Sequence, residues 1–185
     1  MQQRASRREP DLFALVADGF TIGRFVLGVA LVPVLGSKRI TLAASILGTA
    51  WLTDFFDGRV ARASAGTTRL GPFDLWADTI VGAGAVLGFV ASGWMPAVPG
   101  IGLVIALVVW FTLTRNEALS MILQATGYAL VLWHVWRGGY GLALAWLLAI
   151  IGVVMLVNRR VVWERSLPTF FGGVASILRG GRPPT

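Results

Sequence analysis

Cysteine is absent from this 185-residue chain, histidine occurs once, and acidic residues number nine. Without cysteine there are no disulfides and no thiol chemistry. The single histidine, His134, falls near the end of an apolar segment, so a zinc centre built on cysteine and histidine lacks its donors. Charged residues of both signs make up only 14%, against 56% hydrophobic residues and a mean hydropathy of +0.73. A soluble domain needs more polar surface to cover its core, so the composition is that of an integral membrane protein. The formal net charge of +7 does not read as a nucleic-acid footprint, because the basic residues lie between and beyond the apolar runs. That placement is the pattern of topogenesis and of contact with anionic lipid.

What is present in quantity is apolar sequence. Six segments, at about residues 20–35, 40–56, 73–95, 98–113, 118–136 and 140–157, approach the roughly 20 residues needed to cross a bilayer core. Gly, Pro and charged residues punctuate them. Before the first, residues 10–18 place Leu12, Phe13, Leu15 and Val16 towards one face, the pattern of a short amphipathic helix lying in the interface. The expected fold is therefore an all-α integral membrane bundle of six transmembrane helices with an N-terminal interfacial amphipathic helix. It forms one domain over 1–185, with 1–19 interfacial, 20–158 spanning, and 159–185 a cytoplasmic tail that makes an interfacial turn and then disorders. With the N-terminus inside, thirteen of the sixteen Arg and Lys residues fall on the cytoplasmic side. Both ends are then inside, as is the loop at 58–71.

The acidic residues are not scattered. Asp54 and Asp57 are three apart, Asp74 and Asp78 four apart, all inside otherwise apolar surroundings. On a helix each pair faces one way, so two helix ends can present four carboxylates to a shared space. Carboxylates in such segments are costly unless paired or lining a polar cavity, which makes this stretch the candidate functional site. Oxygen-only donors suit hard cations such as Mg²⁺ or Mn²⁺, which commonly bridge diphosphates. Gly58 permits close backbone approach, Arg62 offers a planar fork for phosphate, and an aspartate partly free of metal can accept a proton from an attacking hydroxyl.

The run Asp54-x2-Asp57-Gly58-x2-Ala61-Arg62-x8-Gly71-x2-Asp74-x3-Asp78 closely resembles the signature of the CDP-alcohol phosphotransferase family. The resemblance implies that Asp54, Asp57, Asp74 and Asp78 bind divalent metal, with Asp78 also the general base. It implies that Gly58, Ala61 and Gly71 border a cytidine pocket and that Arg62 contacts the diphosphate. CDP-diacylglycerol would be the donor, a hydroxyl-bearing alcohol the acceptor, CMP the product, and a homodimer embedded in membrane lipid the working form, with no nucleic-acid partner. One departure stands out: two residues separate Gly71 from Asp74 where the signature has three. In an α-helix that turns the glycine by about 100° relative to the aspartates, whereas a loop at Gly71–Pro72 absorbs the change.

Outside the signature, Thr21-x2-Arg24 resembles a pair near the first helix of many family members, with a snorkelling arginine the competing reading. Arg115 is a candidate for binding an anionic acceptor. Gln124 reads as an interhelical hydrogen-bond partner, His134 as interfacial, and Gly82, Gly84 and Gly88 as close-packing positions. The acceptor stays open among glycerol 3-phosphate, an inositol phosphate, serine and a second lipid. Two rival readings accompany the enzyme: a cation- or proton-coupled transporter using the aspartates, and an inactive family member acting as a partner protein.

Overall fold

The computed structural model describes residues 12–63, 69–159, 163–164 and 167–178. Among these residues the regular elements are all helical. They are α1 (Leu12–Gly36), α2 (Ile40–Ala63), a 3₁₀ turn (Gly71–Phe73), α3 (Asp74–Ala91), α4 (Ala97–Thr114), α5 (Glu117–Arg137), α6 (Gly141–Val157) and α7 (Leu167–Leu178). By length and composition α1, α3 with its 3₁₀ turn, α4 and α5 can cross a membrane. Helix α2 has 24 residues but concentrates charge in its C-terminal half, from Asp54 onward, and α6 has 17. The short links at 37–39, 92–96, 115–116 and 138–140 make successive helices run in opposite directions. The start of α1, the end of α2, and the starts of α3 and α5 therefore meet at one end of the bundle.

Helix α3 is the most enclosed, packed against α1, α4 and α5, and α1 packs between α2 and α3. One face of α1 is buried. Its buried residues recur every three or four positions: Ala14, Ala17, Asp18, Thr21, Arg24, Gly28, Leu31 and Leu35. Ile22, Val26 and Val29 on the other face are exposed, as lipid-facing side chains should be. The interfacial helix expected over 10–18 is not a separate element. Leu12–Asp18 form the first turns of α1, because Asp18 turns inward and anchors there; Pro10 and Asp11 lie outside the described residues.

The tail also differs from expectation. Instead of a turn followed by disorder, Leu167–Leu178 form α7, docked on the start of α5. Asn116 accounts for the docking. Its Oδ1 caps α5 by accepting from the Ala118 amide at 3.0 Å, while its Nδ2 lies 3.3 Å from both the Gly173 carbonyl and Ser176 Oγ. The sequence gives Asn116 as punctuation, not as the receptor for a later helix.

Glycines set the spacing of the central helices. A methyl group built on Gly84 would run into the Gly28 carbonyl of α1, and one on Gly28 would meet the α3 backbone at Ile80 and Val81. Gly82 and Gly127 bring α3 against α5 in the same way, and Gly88 meets Leu31 and Leu35. Between membrane helices no hydrophobic force operates, so this backbone contact supplies van der Waals attraction that larger residues would prevent. Thr79 and Ser120 add a hydroxyl pair at 2.8 Å between α3 and α5. Gln124 makes no side-chain hydrogen bond among the described residues; its backbone is what packs on Gly82.

Gly84→Ala should force α1 and α3 apart and cost about 1–3 kcal/mol, the usual range for overpacking. Thermal unfolding of the purified protein in detergent checks this, with Gly152→Ala, where an added methyl meets open space, expected to unfold like the parent.

Candidate active site

The four aspartates of the signature come together, and what they surround is a guanidinium. Arg24, on the buried face of α1 one turn beyond Thr21, is 1% exposed, where a snorkelling side chain would reach solvent. Its Nη1 donates to Asp54 Oδ1 at 2.9 Å and to Asp78 Oδ1 at 2.5 Å. Its Nη2 donates to Asp57 Oδ2 at 2.7 Å and to Asp74 Oδ1. Thr21 Oγ1 lies 3.3 Å from the same Asp57 oxygen and donates to it. Asp54 and Asp57 come from α2 and Asp74 and Asp78 from α3, so one side chain on α1 ties the other two helices together.

By formal charge, four carboxylates against one guanidinium carry an excess of three negative charges when all are ionised. The side chains of Asp54 and Asp74 are 48% and 43% exposed, whereas Asp78 is 21% exposed and Asp57 only 10%. The cluster is thus open on one side and closed on the other, as a site for a charged ligand requires.

The loop leading into α3 is fastened to α1. Asp18, buried at the start of that helix, accepts from the backbone amides of Arg69 at 3.2 Å and Leu70 at 2.9 Å. Immediately after, Gly71-Pro72-Phe73 wind as a 3₁₀ turn, and the α-helix begins at Asp74. This resolves the shortened spacing. Three steps in a 3₁₀ turn make about 360°, and four in an α-helix about 400°. Gly71 therefore stays within about 40° of the side it would occupy with the longer spacing. Proline at the second position of the turn suits the tighter winding, since its missing amide would be unpaired there anyway.

Arg115 caps α4 in the left-handed conformation, with φ 54°, at the same end of the bundle. Its guanidinium lies 5.7 Å from the ring of Trp76, the residue midway between Asp74 and Asp78, and it makes no ion pair with the aspartates among the described residues. Arg59 is engaged elsewhere, stacked 3.8 Å over Phe55 and within 3.3 Å of Asn158 at the end of α6. Ala61 and Arg62 fall in the last turn of α2; their side chains and the surroundings of Gly58 lie outside the described residues. His134 is at the opposite end, stacked on Trp94 at 4.8 Å and bonded to the Leu130 carbonyl, away from the acids.

Sequence reasoning missed Asp18 and underrated Arg24. A signal was there: Asp18, Thr21 and Arg24 recur every three residues, one polar face on an otherwise apolar helix.

A helical bundle with several apolar helices long enough to span a bilayer, and with carboxylates gathered at one end, has the architecture of an integral membrane protein. The sequence model of the CDP-alcohol phosphatidyltransferase family matches residues 14–178, so the chain belongs to that family and is a phosphotransferase for substituted phosphate groups. Searches of curated proteins and of solved structures returned no match. The family uses CDP-alcohol substrates with an alcohol acceptor and is generally dependent on divalent metal. The donor set here suits such an ion, being all carboxylate and three charges in excess. The carboxylates point at the guanidinium, and among the described residues no three are arranged as a ready-made metal cage.

Asp18→Ala removes a charged acceptor shared by two amides and should cost about 2 kcal/mol locally. Hydrogen exchange in peptides covering Arg69 and Leu70 should accelerate by about tenfold or more, while that of α5 stays as in the parent.

Proposed function

We propose that the chain transfers a phosphatidyl group from CDP-diacylglycerol to a hydroxyl-bearing acceptor, releasing CMP, with Mg²⁺ or Mn²⁺ held by Asp54, Asp57, Asp74 and Asp78. The convergence of both aspartate pairs on a single point carries this reading, since residues 54 and 78 are brought within reach of one guanidinium. The bound ion supplies charge neutralisation at the diphosphate, so that the phosphorus can be attacked and CMP can leave. Asp78 binds Arg24 through one oxygen and has its other oxygen outside that contact. In this reading it accepts the proton of the acceptor hydroxyl as the oxygen attacks phosphorus. Gly58, Ala61 and Gly71 border the cytidine, and Arg62 holds the diphosphate with its fork. The 3₁₀ winding of Gly71–Phe73 supports including Gly71 in this set.

Helices α2 and α6 complete a six-span bundle, with the acidic end facing the cytoplasm as the distribution of arginine favours. Arg115, beside Trp76 at that end, is suited to an anionic acceptor. A phosphorylated alcohol such as glycerol 3-phosphate or an inositol phosphate is therefore preferred to serine. The working form is a homodimer in the membrane, making a phospholipid.

The test is CMP release from CDP-diacylglycerol by the purified protein, across candidate acceptors, with and without Mg²⁺ or Mn²⁺. Release should require metal, and metal-independent release would overturn the proposal. Asp78→Asn should lower turnover by at least about a hundredfold, the scale of general-base catalysis, while CDP-diacylglycerol affinity changes little. Asp57→Ala should weaken nucleotide binding itself; calorimetry giving parental affinity would remove Asp57 from the metal ligands.

A further inference from the structure

The centre of the acidic cluster holds a positive charge that belongs to the chain. Arg24 contacts all four carboxylates, two through each terminal nitrogen, and is buried among them. Yet the contact is incomplete. Arg24 Nε is buried with no acceptor among the described residues, so the guanidinium is held by its surrounding charge without full hydrogen bonding. We propose that Arg24 is an internal counter-cation: it holds the four aspartates together while no metal is bound and gives up its central position when a divalent ion enters.

The argument is electrostatic. Four carboxylates drawn from two helices repel one another strongly where the surroundings are apolar, and a cluster with no cation would splay or neutralise itself by protonation. One guanidinium lessens that repulsion but leaves a threefold negative excess, which still attracts a divalent ion. The two cations need the same carboxylate oxygens. Asp54, Asp74 and Asp78 each present Oδ1 to Arg24 and Asp57 presents Oδ2, so an ion bridging the two pairs competes with the guanidinium for them. The site is then assembled before it is loaded, at the expense of part of its metal affinity. The inference rests on the metal-dependent reading of the cluster.

Mn²⁺ binding to the full-length protein in detergent, followed by electron paramagnetic resonance, separates this role from a structural one, alongside thermal unfolding in chelator and in saturating Mn²⁺. Arg24→Gln removes the competing charge and should tighten Mn²⁺ binding by about tenfold. The same variant should unfold at lower temperature than the parent in chelator, and Mn²⁺ should close most of that gap. Arg24→Lys keeps the charge on a point-like ammonium that cannot bridge two pairs through a fork, so its Mn²⁺ affinity should fall between parent and Arg24→Gln. That variant also serves if Arg24→Gln does not fold without metal. Parental or weaker Mn²⁺ affinity in both variants, with the parent binding Mn²⁺ normally, overturns the counter-cation role and leaves the proposed reaction standing. A parent protein that binds no Mn²⁺ and releases CMP without metal overturns both.

Discussion

Like charges crowded at the edge of an apolar medium are the constraint to which the rest of this structure answers. Two unit charges 4 Å apart interact by about 4 kcal/mol at the effective dielectric of a protein surface, and here four aspartates share contact with one guanidinium. An arrangement of this kind persists only if a cation sits among the carboxylates or if they lose their charge. The chain supplies the cation from α1, which packs on both α2 and α3. Thr21 adds a neutral donor to Asp57, the least exposed of the four. The polar face of α1 is thus the counterpart of the acidic signature, and neither is physically tolerable alone.

Reach is the second requirement, and backbone packing meets it. Arg24 contacts Asp74 and Asp78 because α1 and α3 approach closely where Gly28, one turn beyond Arg24, lies against Ile80, Val81 and Gly84. Larger residues at this seam would part the helices, and the guanidinium would have to choose between the α2 pair and the α3 pair. Gly82 and Gly127, with the Thr79–Ser120 hydroxyl pair, hold the other side of α3. The geometry of the aspartate cluster at one end of the bundle therefore depends on small residues that lie outside it. In lipid, where apolar burial does not pull helices together, such contacts carry much of the specificity of assembly.

The sequence made the acidic pairs legible because helical periodicity is local: residues three or four apart share a face whatever the tertiary structure does. The helices were legible for the same reason, with their ends set by Gly, Pro and charged residues. The partner at the centre was not, since Arg24 meets aspartates 30 to 54 residues away and nothing local distinguishes it from a snorkelling arginine. The docking of α7 on Asn116 is equally non-local. The start of α1 was read as a separate element because its exposed apolar residues near Leu12 and Leu15 fit a short interfacial helix. That it continues into the first long helix, with Asp18 bound to two amides over fifty residues away, is non-local information.

Local winding bears on the rival readings too. The shortened spacing before Asp74 was the sequence feature favouring an inactive relative, on the premise that a lost residue rotates Gly71 off the site. That premise holds for an α-helix and fails for a 3₁₀ turn, where three residues complete a revolution. The spacing therefore gives no reason to infer a broken site. A transporter would need carboxylates deep in the bundle and polar groups along several helices to carry an ion across. Here the acids cluster where α2 ends and α3 begins, while α4 and α6 contain no charged residue at all. Helices α4 and α6 thus offer no charged side chain to pass an ion along, which favours the enzyme reading over the transporter.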